Sequence, residues 1–351
     1  MKPVRVLVVD DSSFNRKVIS EMLESREGIE VIGTAFDGED AIGKILKYKP
    51  DVVTLDLEMP RMDGFTALRW IMANQPVPVI VVSARESDRS VFKALDFGAV
   101  DFVVKPSKAA SPKLKEMKNE LLAKILSVPS LRFKRLQERT NEKPPEPPPD
   151  LLPLAMGDRT AEVIALAAST GGPPAVQSIL MGLYGNIISP VVICQHMPPV
   201  FTRLFAERLA TLSGRPVKEA EDGERLTTGM TYVAPGGKQL RISGGGKQRT
   251  LTVSDKAMGD RFAPSADILL NSMVDSCGSN CLAAVLTGMG NDGAEGAMAL
   301  HKAGAIILAE SRESAVIFGM PRAVIKAGAA DRVEDIRGII RLINLHAVLK
   351  G

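Results

Sequence analysis

Two sets of side chains in this sequence have types and spacing that could do chemistry. Asp10, Asp11, Asp56, Ser83 and Lys105 form the first, and Ser169, His196 and Asp292 the second. Three carboxylates held close repel one another and need a cation, and an all-oxygen donor set suits Mg²⁺. A carboxylate beside such an ion, with an ammonium and a hydroxyl to hold developing charge, can accept a phosphoryl group. A serine is unreactive without a base. Histidine is the usual one, because its pKa lies near neutrality, and an aspartate that orients the imidazole completes a triad.

Each residue of the first set stands where a short apolar run stops. Asp10 and Asp11 close VRVLVVDD, Asp56 closes DVVTLD, Ser83 closes VPVIVVS, and Lys105 closes DFVVK before Pro106. The runs are rich in Val and Ile and each precedes a helix-like stretch, the pattern of parallel strands in a doubly wound sheet. In such a sheet the carboxyl ends share one crevice, where ligands bind. Alone, an Asp after a strand is an N-cap or turn residue. The whole set in register is harder to explain as punctuation.

The second set follows the same logic. EVIALAAS predicts a strand ending at Ser169, with Thr170-Gly171-Gly172 and a helix after it; PVVICQH predicts a strand ending at His196. Asp292 lies in TGMGNDGAEG, between the strand CLAAVLTG and a helix. A serine on such a turn sits at a helix N-terminus, where free N–H groups can stabilise an oxyanion. AASTG matches a hydrolase nucleophile elbow only in part, because Ala167 replaces its first Gly. Of the three histidines, His301 falls inside a helical stretch and His346 near the C-terminus, which leaves His196 as the base. Spacing alone leaves Asp267 and Asp222 open as the third member. STGG could instead hold a phosphate. Cys194 shares the strand face of His196 and reads as a buried inert thiol.

The proline-rich NEKPPEPPPDLLPL divides the chain, since it cannot form a helix and favours an extended spacer. Residues 1–126, 127–158 and 159–351 are the expected domain, linker and second domain. LRFKRLQER could extend the first domain as a helix, and Leu151, Leu152 and Leu154 could pack on a neighbour. The Gly-rich stretch from Val217 to Ser254 predicts hairpins at a sheet edge, and the region after AIILAE reads as mostly helical. With 351 residues, 45% hydrophobic and 24% charged, the composition is that of a globular protein. A net charge of +3 gives no electrostatic case for nucleic acid. No secretory signal or membrane span is expected, so membrane insertion is not. Cys194, Cys277 and Cys281 are too few for a disulfide framework, which fits a reducing cytoplasm.

The motifs VDDS, TLDLEMPRMDG, VVSA and VVKP resemble the receiver domain of two-component response regulators. ASTGG, QHMPPVFTRLFAERL, VKEAEDGERL, YVAPGG, LTGMGNDGAEG and FGMPRAV resemble the catalytic domain of protein-glutamate methylesterase, in that family's order. The resemblance implies a flavodoxin-like receiver joined to a mostly parallel, Rossmann-like α/β hydrolase domain with a β-hairpin edge. It makes Asp56 the phospho-acceptor, Asp10 and Asp11 further Mg²⁺ ligands, Ser83 the switch hydroxyl, Lys105 the phosphoryl partner, and Phe102 the aromatic switch. It also implies a cis Lys105–Pro106 bond. In the second domain it implies Ser169 as nucleophile, His196 as base and Asp292 as orienting acid, with backbone amides near Thr170 and Met289 as oxyanion donors. The implied substrate is a γ-glutamyl methyl ester on a chemoreceptor's cytoplasmic helices, with receptor glutamine deamidated as well. The implied phosphodonor is a chemotaxis histidine kinase, acting on a monomer whose unphosphorylated receiver covers the crevice. The sequence departs from the family pattern at Gln239, Phe262, Ala263, Glu310 and Ser311, none of them a triad residue. The rival reading is a non-enzymatic regulator that binds a nucleotide or phosphorylated metabolite through STGG and GMGNDG.

Overall fold

A computed structural model describes residues 2–84, 88–106, 112–133, 161–184 and 188–347. The chain forms two compact units, Met1–Asn141 and Glu142–Gly351. The LRFKRLQER stretch beyond residue 133 and the leucines of the proline-rich segment lie outside the described residues.

The first unit alternates strand and helix. Its elements are β1 (Val4–Val9), α1 (Ser13–Glu24), β2 (Ile29–Ala35), α2 (Gly38–Tyr48), β3 (Val52–Leu55), α3 (Gly64–Asn74), β4 (Val79–Ala84), α4 (Asp88–Asp96), β5 (Asp101–Lys105) and α5 (Pro112–Ser127). The sheet has the order β2-β1-β3-β4-β5, with every pairing parallel. The apolar runs become β1, β3, β4 and β5. Edge strand β2 is largely half-exposed, so its composition is mixed and its apolar signal weak. Ser12, Asp37 and Asp63 cap their helices by accepting backbone N–H groups, which stops each strand-to-helix loop at a fixed residue. Among the described residues the cis peptide bond is Ala263–Pro264, so the cis Lys105–Pro106 bond implied by resemblance is not found.

The second unit carries β6 (Val163–Ala168), α6 (Gly172–Met181), β7 (Val191–Gln195), α7 (Phe201–Ser213), β8 (Val217–Glu219), β9 (Thr231–Val233), β10 (Lys238–Ser243) and β11 (Thr250–Asp255). It continues through α8 (Ala266–Cys277), β12 (Cys281–Val285), α9 (Ala294–Lys302), β13 (Ile306–Glu310), α10 (Met320–Ala327), β14 (Arg332–Glu334) and α11 (Ile336–Ala347). Its main sheet is seven-stranded, β14-β13-β12-β6-β7-β9-β8, and parallel throughout. Strands β6, β7 and β12 lie at its centre and are wholly buried, which accounts for their uninterrupted apolar sequences. The Gly-rich stretch divides. Strands β8 and β9 join the main sheet in parallel, while β10 and β11 form the expected hairpin as a two-stranded sheet of their own. The hairpin docks on α8: Ile242 N–H donates to Ser272 Oγ at 2.9 Å, and Ser276 Oγ to the Ile242 carbonyl at 2.8 Å. The three-residue strand β14 interrupts the region expected to be helical, because a strand so short leaves no periodic pattern.

Candidate active site

Ser169 and His196 each follow the last residue of a central strand. Ala168 and Gln195 are direct partners in the β6–β7 ladder, and the His196 N–H donates to the Ala168 carbonyl at 3.0 Å. The two functional side chains therefore leave neighbouring strands at the same level. The buried Gln195 amide ties them further, its Nε2 donating to the carbonyls of Ser169 at 3.0 Å and His196 at 3.1 Å. A Cβ at Gly172 would collide with that amide, so the turn after Ser169 needs glycine there. Gly172 N–H donates back to the Ser169 carbonyl at 2.8 Å, so this amide of STGG does not project toward a phosphate. The His196 loop is buttressed from outside. A Cβ on Gly236 would lie 2.6 Å from the Pro198 backbone, so YVAPGG packs directly on HMPP. Val200, which closes that loop, has φ of 79°, a costly value for a β-branched residue.

His196 Nε2 lies 2.7 Å from Asp292 Oδ2. The carboxylate accepts that N–H, which leaves Nδ1 as the basic nitrogen of the ring. Among the described residues no hydrogen bond joins Ser169 Oγ to the imidazole, a link that catalytic sites often close only around substrate. Asp292 is buried at the N-terminus of α8. Its Oδ1 accepts the Ser265 hydroxyl at 2.8 Å and the Asp267 N–H at 3.1 Å, and its Oδ2 accepts the Ala266 N–H at 2.7 Å. Burial acts to raise its pKa. The His196 hydrogen bond and charge, with the Ala266 and Asp267 N–H groups, outweigh burial and bring it to about 2. The helix dipole adds to the same effect. This carboxylate stays an anion.

Behind Ser169, the loop after β12 closes the site. Ser169 N–H donates to the Thr287 carbonyl at 3.0 Å, and a Cβ on Gly288 would lie 2.8 Å from Ser169 Cβ. Among the described residues the Met289 N–H, next along, has no acceptor. Gly319 and Met320 both donate to the Gly288 carbonyl, at 3.1 and 2.9 Å, and so fix the loop from FGMPRAV. Thr287 Oγ1 donates to the Thr170 carbonyl at 3.0 Å, and Thr287 N–H to Glu310 Oε2 at 2.7 Å. Glu310 is fully buried and also accepts the Ser314 hydroxyl at 2.8 Å. Gln195, Thr287 and Glu310 hold the site but went unmarked in the sequence as its supports; only the polar interruptions they make at buried strand ends could have flagged them.

The other acidic candidates fall away from the imidazole. Exposed Asp222 accepts the Val253 N–H at 2.8 Å, and Asp267 Oδ1 accepts Gly296 N–H at 2.8 Å near the start of α9. Burial, with the Asp292 charge behind it, raises Asp267 to about 6 against the pull of that N–H. Burial, then the Asp292 and Asp267 charges, hold the Cys194 thiol well above its ordinary range. It is a core residue and poorly suited to nucleophilic attack. His301 lies 3.3 Å from Asp331, and His346 is buried in α11. Of the departures from the family pattern, Gln239 and Glu310 are buried, Phe262 and Ala263 are half-buried, and Ser311 donates its N–H to the Glu334 carbonyl at 2.7 Å.

In the first unit, Asp10 follows β1, Asp56 follows β3, Ser83 lies in β4, and Lys105 ends β5. Asp10, Asp56 and Ser83 are buried, whereas Asp11 is exposed. Lys105 Nζ pairs with Asp10 Oδ2 at 2.8 Å and with Asp56 Oδ2. The β4–β5 register sets Ala84 opposite Lys105 and so brings Ser83 alongside. Burial raises the Asp56 pKa, with the Asp10 charge adding to it, against the pull of Lys105. Carboxylate oxygens of Asp10, Asp11 and Asp56 lie within 4.8 Å of one another, a hard-oxygen set open on the Asp11 side that fits Mg²⁺. Phe102 is buried, with Lys124 Nζ 5.5 Å from its ring centroid. Lys124 in turn pairs with Asp101 at 3.0 Å and Glu120 at 2.7 Å.

Comparison with known proteins matches this chain to two families. The CheB methylesterase profile matches residues 164–343, and the response regulator receiver domain profile matches residues 6–117. Protein-glutamate methylesterase/protein-glutamine glutaminase 3 of Geobacter sulfurreducens is 44% identical over 98% of this chain and 97% of its own length. The protein-glutamate methylesterase/protein-glutamine glutaminase of Pyrococcus abyssi is 40% identical over 96% of this chain and 92% of its own. The crystal structure of the Thermotoga maritima CheB methylesterase catalytic domain aligns with a TM-score of 0.51 at 35% identity, covering 53% of this chain and 98% of that one. The chain belongs to the CheB methylesterase family, as a hydrolase domain preceded by a receiver domain.

Proposed function

We propose that this chain hydrolyses γ-glutamyl methyl esters on the cytoplasmic helices of chemoreceptors, under control of phosphorylation at Asp56. The observation that carries the reading is the His196–Asp292 pair at 2.7 Å, set at a helix N-terminus beside the strand that delivers Ser169. Ser169 Oγ attacks the ester carbonyl as its proton passes to His196 Nδ1. Asp292 holds Nε2–H and stabilises the imidazolium. The Met289 N–H, with that of Thr170, receives the oxyanion. The intermediate collapses as His196 returns the proton to methoxide, and methanol leaves. Water, deprotonated by the same imidazole, then cleaves the acyl-enzyme to free glutamate and restores Ser169. The same route with ammonia as leaving group deamidates glutamine.

In the receiver, Asp10, Asp11 and Asp56 would hold Mg²⁺, which neutralises charge on the incoming phosphoryl group. Asp56 accepts that group from a chemotaxis histidine kinase, and Lys105 and Ser83 bind its oxygens. Phe102 couples the change to the α5 side of the unit. Phosphorylation favours a domain arrangement that exposes Ser169, by differential interaction with the acyl phosphate. The working molecule is a cytoplasmic monomer with a receiver at 1–126, a linker at 127–158 and a catalytic domain at 159–351. No helix among the described residues is long and apolar enough to cross a membrane. Methanol release from methylated receptor membranes tests the reading. Ser169→Ala is expected to abolish release, and phosphodonor to increase it in the parent. Undiminished release by Ser169→Ala would sink the triad; no response to phosphodonor would sink the control scheme.

A further inference from the structure

The His196 ring is held on its face as well as at its edge. Phe262 stacks on it with ring centroids 4.5 Å apart and planes 9° from parallel. Phe262 lies on the loop between β11 and α8, and that loop is clamped by Gln239 of β10. Gln239 Nε2 donates to the Phe262 carbonyl at 2.8 Å and to Asp260 Oδ2 at 2.9 Å, while its Oε1 accepts the Ser265 N–H at 3.0 Å. Ser265 is also the residue whose hydroxyl donates to Asp292. One buried amide thus sets the phenyl ring and steadies the cap beside the carboxylate. Gln239 and Phe262 act together.

We infer that Phe262 is a positioning residue for His196, and that the Gln239 amide holds it in place for that role. The inference rests on the triad reading above. An aromatic face attracts a cation more strongly than a neutral ring, so the stack favours His196 once it has taken the serine proton. An interaction stronger in the transition state than in the ground state raises kcat and leaves KM alone. Charged groups beside the pair include Asp292 at the imidazole edge and Arg261, whose guanidinium lies 5.8 Å from the Phe262 ring centroid. A ring without a titratable proton also cannot compete with His196 as a base.

The test uses the full chain, phosphodonor and methylated receptor membranes. Phe262→Leu keeps an apolar side chain but removes the ring. It is expected to lower kcat by about 2- to 30-fold, the span of a cation–π contact from exposed to desolvated, with KM unchanged. Phe262→Tyr, which keeps the ring, is expected to restore most of that loss, and thermal melts check that each variant folds. In parallel, the ring-proton NMR signals of His196, assigned with His196→Gln, should move downfield in Phe262→Leu as the shielding phenyl face is lost. Parental kcat in Phe262→Leu, equal losses in Leu and Tyr variants, or unmoved His196 signals would each overturn the inference. Ser169→Ala separates the two levels. If release does not depend on Ser169, the triad reading fails and the NMR arm still decides the stack. If release depends on Ser169 but not on the Phe262 ring, only the inference fails.

Discussion

Two buried aspartates, Asp56 and Asp292, sit at the carboxyl ends of parallel strands in their respective units and are treated in opposite ways. Asp56 has one ammonium partner that it shares with Asp10, and burial raises its pKa. Asp292 is surrounded by donors from His196, Ser265 and the first turn of α8, and its pKa falls to about 2. The same residue type in the same fold class is under-solvated in one unit and over-solvated in the other. An under-solvated carboxylate gains most from a cation or from covalent conversion, which suits a group that changes state. An over-solvated one keeps a constant charge, which suits a group that must support an imidazolium in every turnover.

The sharpest way to break this contrast is Asp292→Asn. Steady-state methanol release should fall by about 10⁴-fold, the scale seen when a triad loses its orienting carboxylate. Stability should change too. A folded pKa of about 2 against the ordinary 3.8 corresponds to about 2 kcal/mol. Because that pKa is depressed, the stabilisation is present above pH ~4 and lost as pH falls through ~2. Denaturant melts of parent and variant should therefore differ at pH 7 and converge toward pH 2. If they already coincide at pH 7, Asp292 is not held as described.

Asp56→Asn addresses the other half of the contrast. It should abolish phosphorylation by labelled phosphodonor and leave methanol release at its unphosphorylated level. Mg²⁺ at ten times its Kd should stabilise the parent receiver by about 1.4 kcal/mol in thermal melts, and do so much less in the variant. An equal Mg²⁺ shift in both would remove Asp56 from the ion's ligands.

Glu310 is a smaller test of whether the catalytic side is fixed from behind as well. Glu310→Ala leaves the buried Thr287 N–H without an acceptor and should cost about 1–3 kcal/mol in urea melts. Glu310→Gln, which keeps an acceptor oxygen, should recover most of it. The smallest effect is expected at Asp267, raised to about 6 by burial and by Asp292. A raised acid destabilises the fold progressively as pH rises from its ordinary value of 3.8 to about 6. Asp267→Asn should match the parent below pH ~4 and exceed it above pH ~6, by less than about 1 kcal/mol given its partial exposure. Parallel stability curves would show that the Asp267 pKa is not raised in the folded protein.

Much of this arrangement was legible because it depends on strand ends. Short Val- and Ile-rich runs followed by Asp, Ser, His or Lys become parallel strands, and those residues stand at or near the strands' carboxyl ends. The compact units part between Asn141 and Glu142, at the head of the proline-rich sequence. The supports were not legible. Gln195, Thr287 and Glu310 act through side-chain bonds to backbone groups that are distant in sequence, and no local pattern encodes those. The Phe262 stack depends on a loop whose path is set by Gln239 on a different element. Spacing left Asp222, Asp267 and Asp292 equivalent; only tertiary distance separates them. The parallel β8–β9 pair and β14 escaped because three residues are too few to show a period.

The bonds from Ala266 and Asp267 to Asp292 have one further consequence. Those amide protons open to solvent only when the first turn of α8 leaves the carboxylate, so their exchange with deuterium reports on the charge beside His196. The start of this helix is a built-in gauge of the site's electrostatics, readable without substrate, inhibitor or turnover.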